Sequence, residues 1–267
     1  EPPDTLDESP EAGIPVPVYV GAAGPIVGKP AHAPQGHGPS GLGGADRPAY
    51  TKKPEPGRAV DALLKLANQH AGKLRIAAVG PLTNIALCLL MEPGFADAVA
   101  EVSIMGGAVG TGGITAAAEF NFFADPVAAR IVLESRLNLR VVGYDITKDV
   151  GLRAEDIARL TGSGKRLPAL LGSLQDFYRA RHHEMFGRIH APQHDVLAVI
   201  PWVEEGAITY QQCSGTVCTE SGPMWGMSVF DLRGRRDATA PQNIAVARQA
   251  DRDRIIGAVM ETLLTYP

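Results

Sequence analysis

The sequence predicts a three-layer α/β domain, a mainly parallel sheet with helices on both faces. From about residue 58 onward, apolar runs of strand length alternate with amphipathic segments of helix length, and that alternation implies parallel strands joined by crossover helices. The 267 residues suffice for one large α/β unit with a sizeable core. A content of 45% hydrophobic and 20% charged residues is that of a globular chain rather than a disordered one.

Taken in order, residues 1–13 are rich in Pro, Asp and Glu without apolar periodicity, so they read as a polar tail or linker before a domain spanning 14–267. Pro17-Val18-Tyr19-Val20 is a strand candidate. The loop from Gly21 to Pro56, in which Gly, Pro and His recur, is longer than a simple connection needs. After Arg58, the residues Val60, Leu63, Leu64 and Ala67 follow the helical i, i+3, i+4, i+7 spacing, and Gly72 offers a left-handed stop. A buried strand is expected over Leu74 to Val79. Pro81 suits the first turn of a helix through Leu90, because its missing N–H has no partner there anyway. The alternation continues with a strand from Val99 to Met105, a helix from Pro126 to Glu134 capped by Asp125, and a strand from Leu139 to Tyr144. Leu167 to Arg188 reads as helix, Ala207 to Cys218 as a strand with a turn at Ser214-Gly215, and Asp251 to Leu264 as a final helix with Ile255, Ile256, Val259 and Leu263 on one face.

Composition excludes several classes. A net charge of −4 and a pI near 6.0 give no long-range attraction to phosphate backbones or anionic lipid, so neither nucleic acid nor membrane is an expected partner. The one basic cluster, Arg233, Arg235 and Arg236, is flanked by Asp231 and Asp237. Three cysteines, Cys88, Cys213 and Cys218, are too few and of the wrong parity for a disulfide framework, which favours a reducing cytoplasm. No apolar run approaches the ~20 residues that span a bilayer.

Ligands of an open parallel sheet collect beyond the carboxyl ends of its strands. Three segments end predicted strands there: Val79 to Asn84, Met105-Gly106-Gly107 and Asp145-Ile146-Thr147. Phosphate-cradle motifs fail by register. Gly106 to Gly113 holds no G-x-G-x-x-G, and Arg159 stands where a P-loop before Gly164-Lys165 needs glycine. Gly38-Pro39-Ser40-Gly41 misses the nucleophile elbow, and Cys213 and Cys218 have no second pair for zinc. Two constellations remain. Glu119 and Asn121 flank Phe120 in an extended loop suited to binding neighbouring hydroxyls, and His194-Asp195 precedes the apolar run Val196 to Ile200. Asp125-Pro126 reads as a helix N-cap and first-turn proline, not as catalytic.

Seven ordered segments then carry a resemblance: Pro17 to Ala22, Gly36-His37-Gly38-Pro39-Ser40-Gly41-Leu42-Gly43, Gly80-Pro81-Leu82-Thr83-Asn84-Ile85-Ala86-Leu87, Met105-Gly106-Gly107, Ala118-Glu119-Phe120-Asn121, Asp125 to Ala129, and His194-Asp195. In order and spacing the chain resembles the inosine-uridine-preferring nucleoside hydrolases from about Pro17 to Leu264. The resemblance implies that family's α/β fold and the calcium-assisted hydrolysis of the N-glycosidic bond of ribonucleosides to base and ribose. It implies Asp195 and the Val79 carbonyl as calcium ligands, and Met105, Glu119 and Asn121 as the ribose site. His37 would line the pocket, His194 would help the base depart, and the assembly would be a homodimer or homotetramer. Gly106-Gly107 would let a ligand approach the backbone closely. The helical segment with Tyr178, His182 and His183 resembles the part that closes over the base.

Two positions depart from the family. Its opening strand ends in D-x-D-x-x-x-D-D, the source of most calcium carboxylates and of the general base, whereas Asp4, Asp7 and Glu8 sit in a polar, Pro-rich stretch. The expectation is that calcium, which takes ~6–8 oxygens, lacks most of its ligands here, and that activity requires that segment. Gly113 stands where the family often has an asparagine for the ribose 5′-hydroxyl. Two other readings stay open: a non-catalytic nucleoside- or ribose-binding protein, and a metal-dependent phosphohydrolase using His194-Asp195.

Overall fold

Alternate residues of the central strands feed two different cores, and that division produces the layers. A computed structural model describes residues 16–31, 53–234 and 240–267. The tail 1–13 and His37 with its glycine-rich segment therefore lie outside the described residues. The main sheet has five strands in the order β3 (Leu74–Ala78), β4 (Val99–Met105), β5 (Leu139–Val142), β11 (Ile244–Ala250), β8 (Ile208–Cys213). The first four run parallel, while β8 is antiparallel to β11. On β5 and β11, Val141 and Val246 pack into one core, and their neighbours Val142 and Ala247 pack into the other. Side chains alternate along a strand, so a sheet buried on both faces needs apolar residues at consecutive positions.

One face is covered by α1 (Ala59–Gln69), α2 (Thr83–Met91), the short α3 (Phe95–Ala98) and α5 (Pro126–Leu133), through Val60, Ile85, Phe95, Val132 and their neighbours. The opposite face is covered by α7 (Ala154–Thr161), α9 (Val196–Val199) and α10 (Arg252–Leu263), through Ile157, Leu160, Leu197, Ile255 and Met260. Coverage is incomplete at β3, where Arg75 and Ala77 are exposed and only the Leu74, Ile76, Ala78 side is packed.

Most predicted elements form within two residues of the expected bounds, and the exceptions have physical causes. Pro81 lies ahead of the N-cap Leu82 rather than in the first turn of α2. Val79 leaves the strand, and only Tyr19–Val20 of the first candidate pairs as β1, parallel to β2 (Glu55–Arg58). The helix after the polar 162–165 turn, α8 (Arg166–Phe186), stops at Gly187, whose φ of 68° is the left-handed conformation that closes a helix C-terminus. The expected strand from Ala207 to Cys218 is two strands: β8 stays in the main sheet, whereas β9 (Gly215–Val217) leaves it to pair with β10 (Ser228–Phe230). The Leu139 strand ends at Val142, and Tyr144–Thr147 turns into α6.

Candidate active site

The strand register brings the predicted loops to one end of the sheet. Ala78 pairs with Ile104 and Met105 pairs with Val142, so Val79, Met105 and Gly143 follow one another across the carboxyl ends of three adjacent strands. Loop β4 is tied to the start of α6 by the Tyr144 N–H donating to the Gly107 carbonyl at 2.8 Å and the Val109 N–H donating to Asp145 Oδ1 at 2.8 Å. Behind it, Ser228 Oγ both accepts from the Ala108 N–H and donates to the Ala108 carbonyl, each at 2.9 Å.

Glu119 is the N-cap of α4 (Phe120–Ala124). Its Oε1 accepts the Asn121 N–H at 2.8 Å, and its Oε2 accepts from Gly107 at 3.0 Å and Phe122 at 3.2 Å. Only 4% exposed, the carboxyl is pushed up to about 7 by burial; the three N–H donors oppose this, and the negative charge of Asp195 adds to the rise. Asn121, 7% exposed, donates Nδ2 to the Met105 carbonyl at 3.0 Å and lies 3.5 Å from its sulfur. Met105 itself is 4% exposed. The Gly106-Gly107 pair makes room for Phe122: a Cβ on Gly106 would lie 2.5 Å from the Phe122 ring, and Gly107 has a φ of 67°.

Asp195 and His194 arrive from the other side. β7 (Ala191–Pro192) pairs with β6 (Gly151–Leu152), and the Gln193 N–H donates to the Val150 carbonyl at 2.8 Å. This sets Asp195 at the N-cap of α9, a helix that packs on β3, β4 and β5. Asp195 keeps accessible surface, yet the surrounding protein desolvates it enough to push its carboxyl up to about 6. Its charge also reaches Tyr178, whose hydroxyl is raised first by burial and then by Asp195.

Around His194 stands a group of rings. Tyr144 stacks on it with centroids 5.7 Å apart and planes 20° from parallel. His182 lies 6.4 Å from it, and Tyr178 meets His182 edge-on at 4.3 Å. Arg188 closes the group, its guanidinium 5.6 Å from the Tyr144 centroid and 4.8 Å from that of Phe186, with Nη2 donating to the Tyr144 hydroxyl at 3.1 Å. His183 is exposed, and its Nδ1 lies 3.2 Å from the Arg188 carbonyl at the helix end. Of the three residues in that helical segment, Tyr178 and His182 join the group and His183 does not. Gly113 faces the Tyr144 ring, 3.1 Å from the place of its missing Cβ.

Asp125 is structural. Fully buried, it accepts the Ala128 N–H at 3.0 Å, the Thr83 hydroxyl at 2.7 Å and the Ile26 N–H at 2.9 Å, so it caps α5 and joins three segments.

The profile described as inosine-uridine preferring nucleoside hydrolase matches residues 9–257. The chain belongs to this family. This nucleoside hydrolase is 34% identical over 253 residues to the pyrimidine-specific ribonucleoside hydrolase RihB of Escherichia coli O9:H4 (strain HS), covering 95% of the chain and 80% of that relative. A plant nucleoside hydrolase superposes with a TM-score of 0.86 at 29% identity, over 94% of this chain and 81% of the other. The purine-preferring ribonucleoside hydrolase from Gardnerella vaginalis superposes with a TM-score of 0.90 at 25% identity, over 98% and 84%. The protein is a ribonucleoside hydrolase.

Donor chemistry can be tested against a hard cation. Asp195 and the Val79 carbonyl are oxygen donors of the kind calcium takes, and Val79 is 43% exposed at its strand end. Among the described residues, however, no group of three or more His, Cys, Asp or Glu comes together to hold a metal. Two donors are fewer than the ~6–8 oxygens of a calcium site, so carboxylate clusters among the described residues of this nucleoside hydrolase do not make one by themselves. Also among them, no helix is long and apolar enough to cross a membrane, and Cys88, Cys213 and Cys218 are free thiols. Sequence reasoning gave no role to Tyr144, Arg188 or Ser228. Thr147 stood in a strand-end segment already marked as pocket lining, while Arg188 follows a helix stop and carries no local signal.

Proposed function

We propose that this nucleoside hydrolase binds the ribose of a pyrimidine ribonucleoside between Met105, Glu119, Asn121 and Asp195, and the base against the rings around His194. The observation that supports the reading is the proximity of three groups: the charge of Asp195 acts on both Glu119 and Tyr178, and Tyr178 meets His182 in the ring group around His194. In this reading a ribose at Glu119 has its base towards the aromatic group. The pyrimidine preference follows RihB, a relative 34% identical to this chain. Three free thiols support a reducing compartment such as the cytoplasm.

The chemistry follows from what develops as the C1′–N bond breaks. The bonding pair leaves with the base, and C1′ and the ring oxygen share positive charge until the oxygen of water bonds to C1′. Carboxylates at Glu119 and Asp195 favour that charge over the neutral sugar, which lowers the barrier instead of merely tightening binding. His194 presents an N–H to the departing base, and the proton lost by water completes the free base. We propose calcium as the metal, because Asp195 and Val79 offer only hard oxygen atoms; when bound it would supply a Lewis acid for hydroxyl and water oxygens.

Ribose release from uridine, cytidine and inosine tests the reading, with and without calcium after chelation. The expected result is a higher kcat/KM for the pyrimidines, loss on chelation, and a fall of about 10²-fold in kcat for His194→Ala. Calorimetric binding of uridine without turnover under all conditions would instead identify a binding protein, and unchanged turnover in His194→Ala would remove His194 from the site.

A further inference from the structure

We propose that Thr147 is a positioning residue for His194, its hydroxyl donating to Nδ1 and thereby holding the imidazole in the form that carries its hydrogen on Nε2. The contact is short and its hydroxyl side is buried: Thr147 Oγ1 lies 2.6 Å from His194 Nδ1, and Thr147 is 0% exposed. Donor and acceptor cannot be told apart from heavy atoms alone, because the hydroxyl can play either part. The surroundings decide it. Among the described residues Thr147 Oγ1 meets no other acceptor, so an Nδ1–H pointing at it would leave the buried hydroxyl proton without a partner. A buried donor left unmade is costly. Donation from Oγ1 to Nδ1 satisfies the pair with one hydrogen and leaves Nε2 as the N–H.

The same short helix controls the rest of the imidazole. α6 begins with Tyr144, which lies against the ring face at 5.7 Å, and ends with Thr147, which holds the ring edge. α6 in turn is fastened to the β4 loop by the Tyr144 N–H to Gly107 and by Asp145 to Val109. The His194 ring and the loop that holds Glu119 and Asn121 are thus tied together through α6. The Thr147 contact occupies Nδ1, so Nε2 is the nitrogen left to offer the leaving base an N–H.

The assignment of a role to His194 rests on the function proposed above, whereas the tautomer does not. Histidine-labelled protein, with His194 assigned by comparison with His194→Ala, is examined by long-range nitrogen–hydrogen NMR in the intact chain at pH 8. The wild type is expected to show Nδ1 as the unprotonated nitrogen and Nε2 as the protonated one. Thr147→Val keeps the branched shape without the hydroxyl, so both nitrogens should move towards the averaged shifts of a tautomer mixture. kcat for uridine should fall about tenfold with KM little changed. Thr147→Ser should restore the wild-type shifts and most of kcat, which a merely packed side chain would not require. Wild-type Nδ1 carrying the hydrogen, or nitrogen shifts in a folded Thr147→Val protein identical to wild type, overturns the proposal. Moved shifts with kcat intact support the tautomer assignment and refute the role given to His194.

Discussion

Glu119 holds a carboxyl where water is excluded, and the consequence for stability can be worked through. Its folded value is raised from an ordinary 4.5 to about 7, chiefly by burial. A group whose folded value is raised holds its proton more tightly in the native state, so its contribution is fully present below pH 4.5 and is lost as pH rises through 7. At about 1.4 kcal/mol per pH unit, a rise from 4.5 to about 7 is worth about 3 kcal/mol. Other groups titrate over the same range, Asp195 among them, so the useful quantity is the difference in unfolding free energy between wild type and Glu119→Gln, followed by urea denaturation from pH 4.5 to 8. In acid Glu119 is the neutral acid, and glutamine, like it, offers one carbonyl oxygen to the three backbone N–H groups, so the two proteins begin with a fixed gap. That gap should move by about 3 kcal/mol in the variant's favour as the pH rises to 8. In an Asp195→Asn background the change should centre at lower pH, because the charge that adds to the rise is gone. A gap that stays constant with pH would refute the reasoning, since it would mean that Glu119 ionises as it does in the unfolded chain.

Three further outcomes are expected. Asp125→Ala orphans the Ala128 and Ile26 N–H groups and the Thr83 hydroxyl in a dry site, so urea unfolding should show a loss of about 3–5 kcal/mol; a loss under 1 kcal/mol would contradict the capping role. Gly107→Ala adds a Cβ 2.9 Å from the side chains of Phe122 and Ser228 at a φ of 67°, and should lower stability by about 1–3 kcal/mol in the same assay while raising KM. Asn121→Asp puts an acceptor against the Met105 carbonyl that Nδ2 now meets at 3.0 Å, so kcat/KM for uridine should fall by about 10²-fold or more; activity within threefold of wild type would remove Asn121 from the ribose site.

Local pattern carried much of the architecture. The strand Val99–Met105 appears with the bounds its apolar run implies, and Asp125-Pro126 caps and opens its helix as those two residue types favour. Such features depend on neighbours in sequence: period, cap chemistry and the missing proline N–H act within one turn or one strand. The central strand β11 was not apparent, because Ile244-Ala245-Val246-Ala247 is short and leads into polar Arg248 and Gln249. Its pairing between β5 and β8 comes from residues about 30 to 105 positions away.

What the sequence determined by itself was the alternation of strands and helices, the candidates Glu119, Asn121 and His194-Asp195, and the strand ends where Val79 and Met105 stand. Tertiary structure alone decided which polar groups face each other. Burial and the charge of Asp195 raise Glu119, the pairing of β6 with β7 delivers His194 to Thr147, and Arg188 reaches Tyr144 across 44 positions. Desolvation and hydrogen-bond geometry depend on distances through space, and those are set only when the two cores close on the sheet.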